Sequence, residues 1–121
     1  MNPRTVLRLE GAAVFAAASG AFVVLDGQWW LYLLLIFAPD LGMAGYAAGP
    51  SIGSRTYNVL HTYSLPLLLA GVGWWSATPL AVLVALIWLA HIGIDRAIGF
   101  GLKYPTGFKD THLDRLRGIH D

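Results

Sequence analysis

Four long apolar runs, set apart by short turn signals, dominate this sequence; they cover roughly 5–25, 28–48, 54–72 and 78–100. Each is about 20 residues long, the length an α-helix needs to cross a bilayer. The composition agrees: 56% of residues are hydrophobic and only 12% charged, where soluble domains run near 25% charged. A soluble chain this small could not bury so much apolar surface. The expected fold is all-α, a four-transmembrane-helix bundle forming one domain over 1–121, with a short cytoplasmic C-terminal tail at 101–121. The N-terminus does not read as a cleaved signal peptide, because Glu10 interrupts the start of the first apolar run. The absence of cysteine excludes disulfides, thiolate metal sites and cysteine nucleophiles.

The punctuation fits four spans. Asp26-Gly27 makes a turn, Gly49-Pro50 stops a helix, and Thr78-Pro79 starts one. Pro39 and Pro66 fall inside spans, which membrane helices tolerate when neighbouring groups satisfy the freed backbone. Trp29, Trp30, Trp74 and Trp75 flank the first and third connections, as an interfacial aromatic belt would. The basic residues Arg4, Arg8, Arg55, Arg96, Lys103, Lys109, Arg115 and Arg117 all avoid those two connections. The positive-inside rule therefore puts the N- and C-termini in the cytoplasm. A net charge of +1 gives no reason to expect nucleic acid as a partner. The expected partner is the lipid bilayer, and Gly45 with Gly49 forms a GxxxG suited to close helix contact, within the chain or in a homo-oligomer.

Polar residues inside these spans carry the functional signal, because each charge placed in lipid costs at least about 2.5 kcal/mol. Counting helical rise puts Asp40, His61 and His91 at one depth, about 10–13 Å from the cytoplasmic surface. Glu10, Tyr57, Asn58 and Asp95 lie about a turn nearer the cytoplasm. His91 and Asp95 are four residues apart and share a helix face, as do Tyr57, Asn58 and His61.

Imidazole and carboxylate together suit a divalent metal such as zinc, iron or manganese. His61, His91 and Asp40 are the expected ligands, with Glu10 or Asp95 as the catalytic base. Tyr57 and Asn58 would contact substrate. Such a site would perform metal-dependent hydrolysis on a lipid-like or apolar substrate reached from the inner leaflet. Other readings of the same residues are a hydrogen-bonded structural component, a proton or ion pathway, and non-covalent haem ligation by the two histidines. In the tail, Asp110 or Thr111 would cap a short helix carrying Leu113, Leu116 and Ile119. The tail is either an interfacial anchor or a lid, in which case Lys103 and His112 would bind a phosphate or carboxylate.

With these residues laid out, the chain resembles a family of small bacterial membrane proteins filed as a domain of unknown function. The resemblance rests on Arg8-Leu9-Glu10-Gly11, Ala38-Pro39-Asp40-Leu41, Tyr57-Asn58 with His61-Thr62-Tyr63, His91 with Asp95-Arg96, and Gly101-Leu102-Lys103-Tyr104 with Thr111-His112-Leu113. It covers nearly the whole chain and implies a multi-pass protein of the bacterial inner membrane. The family carries no established activity. The pair His91 and Asp95 at the end of a span is also similar to membrane-bound metal-dependent hydrolases, a likeness confined to span four.

Overall fold

In a computed structural model the chain is described from residue 2 to residue 117, and within those bounds it is all-helical. The helices are α1 (Pro3–Val24), α2 (Trp29–Leu35), a 3-10 helix (Ala38–Ala48), α3 (Pro50–Leu60), α4 (Ser64–Trp75), α5 (Pro79–Ile98) and the short α6 (His112–Arg115). Proline explains much of this division. Pro3, Pro39, Pro50, Pro66 and Pro79 all fall within the first three residues of a helix, where a backbone N–H has no intrahelical partner to lose.

Three segments are long and apolar enough to cross a membrane: Pro3–Val24, Trp29–Ala48 and Pro79–Ile98. The expected third span, 54–72, is not one helix. It breaks at His61–Tyr63 into α3 and α4, and Pro66 sits in the first turn of α4 rather than inside a kinked helix. The second run is also discontinuous, changing from α-helical to 3-10 geometry after Leu35.

α1 and α5 pack antiparallel at a close crossing. A Cβ on Gly93 would stand 2.7 Å from the Gly11 carbonyl oxygen and from the Phe15 nitrogen, so the two backbones touch. Arg8 Nε donates to the Ala97 carbonyl at 2.8 Å at the same end. The 3-10 helix and α3 form a second antiparallel pair, turned by Gly49 at φ +108°, a conformation that favours glycine. Thr56 Oγ1 donates to the Gly42 carbonyl at 2.7 Å and fills the space over Gly45. Both glycines of the GxxxG are thus in use within the chain, one for packing and one for the turn.

Two ends result. Leu25, Trp74 and Thr78 line one apolar cavity, so the first and third connections meet at a tryptophan end. The basic end holds the start of α1 and the tail. There Arg4 Nε donates to the Leu113 carbonyl at 3.1 Å, Lys103 pairs with Thr111 in an antiparallel bridge, and Leu113 is fully buried. The tail up to Arg117 is therefore folded against the bundle, held by a core residue that its polar composition conceals. Thr111 caps α6 by accepting the Asp114 N–H at 3.0 Å. Asp110 instead pairs with Arg115. The predicted apolar residue Ile119 lies outside the described residues.

Candidate metal centre

Each break in the middle helices leaves carbonyls without intrahelical partners, and side chains of the unbroken α5 take them up. His91 Nδ1 donates to the Ile36 carbonyl at 2.6 Å. Trp88 Nε1 donates to the Leu60 carbonyl at 2.7 Å, and Arg96 Nη2 donates to the His61 carbonyl at 2.8 Å. Irregular backbone at membrane depth persists only where protein groups satisfy it in this way.

These bonds also orient the two histidines. His61, at the C-cap of α3, directs Nδ1 to the Tyr57 carbonyl at 2.8 Å. A carbonyl can only accept, so in both rings Nδ1 carries the proton and Nε2 faces the centre. The two Nε2 atoms are 3.1 Å apart. Asp40 Oδ1 lies 3.2 Å from His61 Nε2 and 3.1 Å from His91 Nε2. Asp95 Oδ2 lies 3.5 and 3.2 Å from the same two atoms. Two nitrogen lone pairs and two carboxylates at such separations repel one another unless a cation or shared protons lie between them.

The spacing suits a metal. With ligand bonds of roughly 2.0–2.1 Å, the edges of a tetrahedron are about 3.3 Å. Five edges here measure 3.1, 3.2, 3.1, 3.5 and 3.2 Å. A donor set of two imidazoles and two carboxylates suits zinc, iron or manganese better than calcium or magnesium, which take oxygen ligands. Burial is uneven: the side chains of His61 and His91 are 0% and 2% exposed, against 35% for Asp40 and 14% for Asp95. The cluster is closed behind the imidazoles and open on the carboxylate side.

The structure gathers Asp40, His61, His91 and Asp95, and places the other predicted residues around or away from them. Asp95, expected as a base, stands among the ligand atoms. Glu10 is not in the group; it lies on an exposed face of α1. Tyr57 stacks on the His61 ring with centroids 3.7 Å apart, so it buttresses a ligand. Asn58 exchanges two hydrogen bonds with the backbone of Lys103, both 2.7 Å, and so ties the tail to α3. Lys103 is 8% exposed, with Nζ donating to the Phe108 carbonyl at 2.7 Å and lying 4.4 Å from the Tyr57 ring centre. Burial pulls the Lys103 pKa down, and the carboxylates of Asp95 and Asp40 partly oppose this. His112 Nδ1 accepts the Leu102 N–H at 2.8 Å. Burial and the nearby Arg96 charge lower the His112 pKa.

Residues 4–116 match the domain of unknown function DUF4260. The chain belongs to that family. No curated protein and no solved structure matches it significantly. Within this DUF4260 domain, sequence reasoning passed over Arg96 and Trp88 as parts of the site. From the sequence alone Arg96 is one of the basic residues that set orientation and part of the Asp95-Arg96 pair that carries the family resemblance. Its signal was a buried-side position beside Asp95, inside an apolar helix.

Proposed function

We propose that this protein is a multi-pass protein of the bacterial inner membrane, and that its embedded His–Asp cluster is a divalent metal centre performing hydrolysis on a lipid-like substrate. One observation carries the reading. Both imidazoles commit Nδ1 to backbone carbonyls and present Nε2, with two carboxylate oxygens, at the edge lengths of a metal tetrahedron. A bound divalent ion would supply Lewis acidity and lower the pKa of a water. His61, His91 and Asp40 would hold it. Asp95, whose contacts are the longer ones, would leave the fourth position to a water and serve as that water's proton acceptor.

The other readings account for less. A proton pathway needs polar groups across the whole membrane, but α4, the outer half of α5 and α1 beyond Glu10 contain no carboxylate, imidazole or amine. Haem would need its macrocycle between the two imidazoles, whose nitrogens are 3.1 Å apart and flanked by carboxylates. A purely structural cluster would be held by shared protons, and it is the alternative that metal analysis decides. Freshly purified protein should contain stoichiometric zinc, iron or manganese, lost in His61→Ala and His91→Ala. Protein without metal, even after reconstitution, would sink the proposal.

A further inference from the structure

We propose that the substrate is an amphiphile with an oxyanion headgroup, its alkyl chain lying in an apolar groove that adjoins the cluster. This rests on the metal-centre reading and names the substrate class for it. The groove has a volume of about 190 Å³ and is lined by Leu35, Ala38, Pro39, Leu60, Ile87 and Trp88, with Val84 at its far end. Pro39 and Leu60 are the chain neighbours of Asp40 and His61, and Ile87 lies one turn before His91. Leu35, Val84 and Ile87 approach from the tryptophan end, whereas Lys103 approaches from the basic end. The cluster therefore stands between an apolar slot and a buried ammonium group. The slot is smaller than a drug-sized ligand site, which suits a segment of one chain whose remainder lies in the bilayer.

Charge selects the headgroup. Two carboxylates balance a divalent ion, and Lys103 then leaves the site positive. No carboxylate forms an ion pair with Lys103 among the described residues; its ammonium group donates to the Phe108 carbonyl and lies over the Phe108 and Tyr57 rings, 3.6 and 4.4 Å from their centres. With the carboxylates of Asp40 and Asp95 taken up in balancing the metal, this buried cation has no counter-charge left and favours an anionic ligand. Phosphate and carboxylate headgroups share this chemistry, and a free anion would satisfy the charge without filling the groove.

Native mass spectrometry of the full chain in a non-ionic detergent tests this, with metal content measured on the same samples. The probes are dodecyl phosphate, dodecanoate, dodecyltrimethylammonium and inorganic phosphate. Dodecyl phosphate or dodecanoate should bind at least tenfold tighter than the cationic amphiphile and than inorganic phosphate. Val84→Phe should reduce that binding at least tenfold with metal content unchanged, and Lys103→Met should erase the preference for the anion. If Val84→Phe disturbs the fold, Leu35→Phe fills the same slot from the facing element. Equal binding of anionic and cationic amphiphiles overturns the proposal. So does undiminished binding in a groove-filled variant that keeps its metal. Binding of inorganic phosphate as tight as that of dodecyl phosphate rejects the groove. Metal-free protein whose binding still depends on Val84 supports the groove while refuting the metal centre.

Discussion

The α1–α5 pair and the segment running from α2 through the 3-10 helix to α4 solve one problem in opposite ways. α1 and α5 are continuous, satisfy their own backbone, and need only small residues to bring their surfaces together. The other segment breaks twice near the cluster and depends on α5 for partners to its freed carbonyls. One pair is scaffold, and the broken segment delivers Asp40 and His61. The breaks beside the cluster thus fall where a donor from α5 reaches them.

The scaffold side of this contrast is tested by Gly93→Leu, for which the largest loss is expected. The added side chain meets backbone atoms of Gly11 and Phe15, which cannot turn aside as a side chain could. At least about 3 kcal/mol of destabilisation should follow, read as lost folded protein in detergent by thermal-shift measurement. Gly20→Leu is the control. Nothing lies within 4 Å of a Cβ there, and a mid-helix glycine is a poor helix former, so its melting temperature should not fall below the parent's. Similar behaviour of the two variants would mean that the α1–α5 crossing is not the anchor.

The broken segment should respond to changes on α5 at residues that are not themselves ligands. Arg96→Met removes the charged donor to the His61 carbonyl and leaves a buried acceptor unpaired, at a cost of about 2 kcal/mol. Metal affinity, measured by chelator competition, should fall about 10- to 100-fold. Trp88→Phe keeps the ring bulk and loses only the bond to the Leu60 carbonyl, so about 1 kcal/mol and a smaller affinity loss are expected. If Trp88→Phe matched Arg96→Met, the bond to the ligand's own carbonyl would have no special weight.

Much of this architecture was readable in the sequence, and the misses have physical causes. Apolar run length located the three segments long and apolar enough to cross a membrane, a length that lipid would impose directly, but not the division of 54–72 into two helices. Helical rise brought Asp40, His61 and His91 to one level, and they meet. Rise gives height but not azimuth, which is why Glu10, a turn nearer the cytoplasm, reads from the sequence as a candidate base beside them. It is about 100° around α1 from Gly11, the residue that faces α5. Hydropathy does not see backbone hydrogen bonds, so the break at His61–Tyr63 was invisible, and with it the roles of Arg96 and Trp88. The tail looked like a surface segment because a single buried leucine, Leu113, carries its docking.

The smallest expected effect concerns that tail, and pH reaches it without mutation. His112 holds the chain at Leu102 by accepting an N–H at Nδ1, and burial keeps its folded pKa below the ordinary histidine value of 6.5. Below about pH 6.5 the unfolded or undocked segment takes up a proton that the docked form resists. The His112 contribution to docking is therefore complete above that pH and is lost as pH falls through the lowered value. Protection factors at Leu102 and His112, with the intrinsic pH dependence of amide exchange divided out, should fall on acidification toward pH 5, while those of α1 near Gly11 and of α5 near Gly93 hold. The Asp110–Arg115 pair should persist over the same range, because its arginine partner holds the Asp110 pKa at about 2. In His112→Gln this loss of protection should disappear, since that side chain can accept the Leu102 N–H without titrating. Acid-dependent loss of protection that survives His112→Gln would place the responsive group elsewhere in the tail.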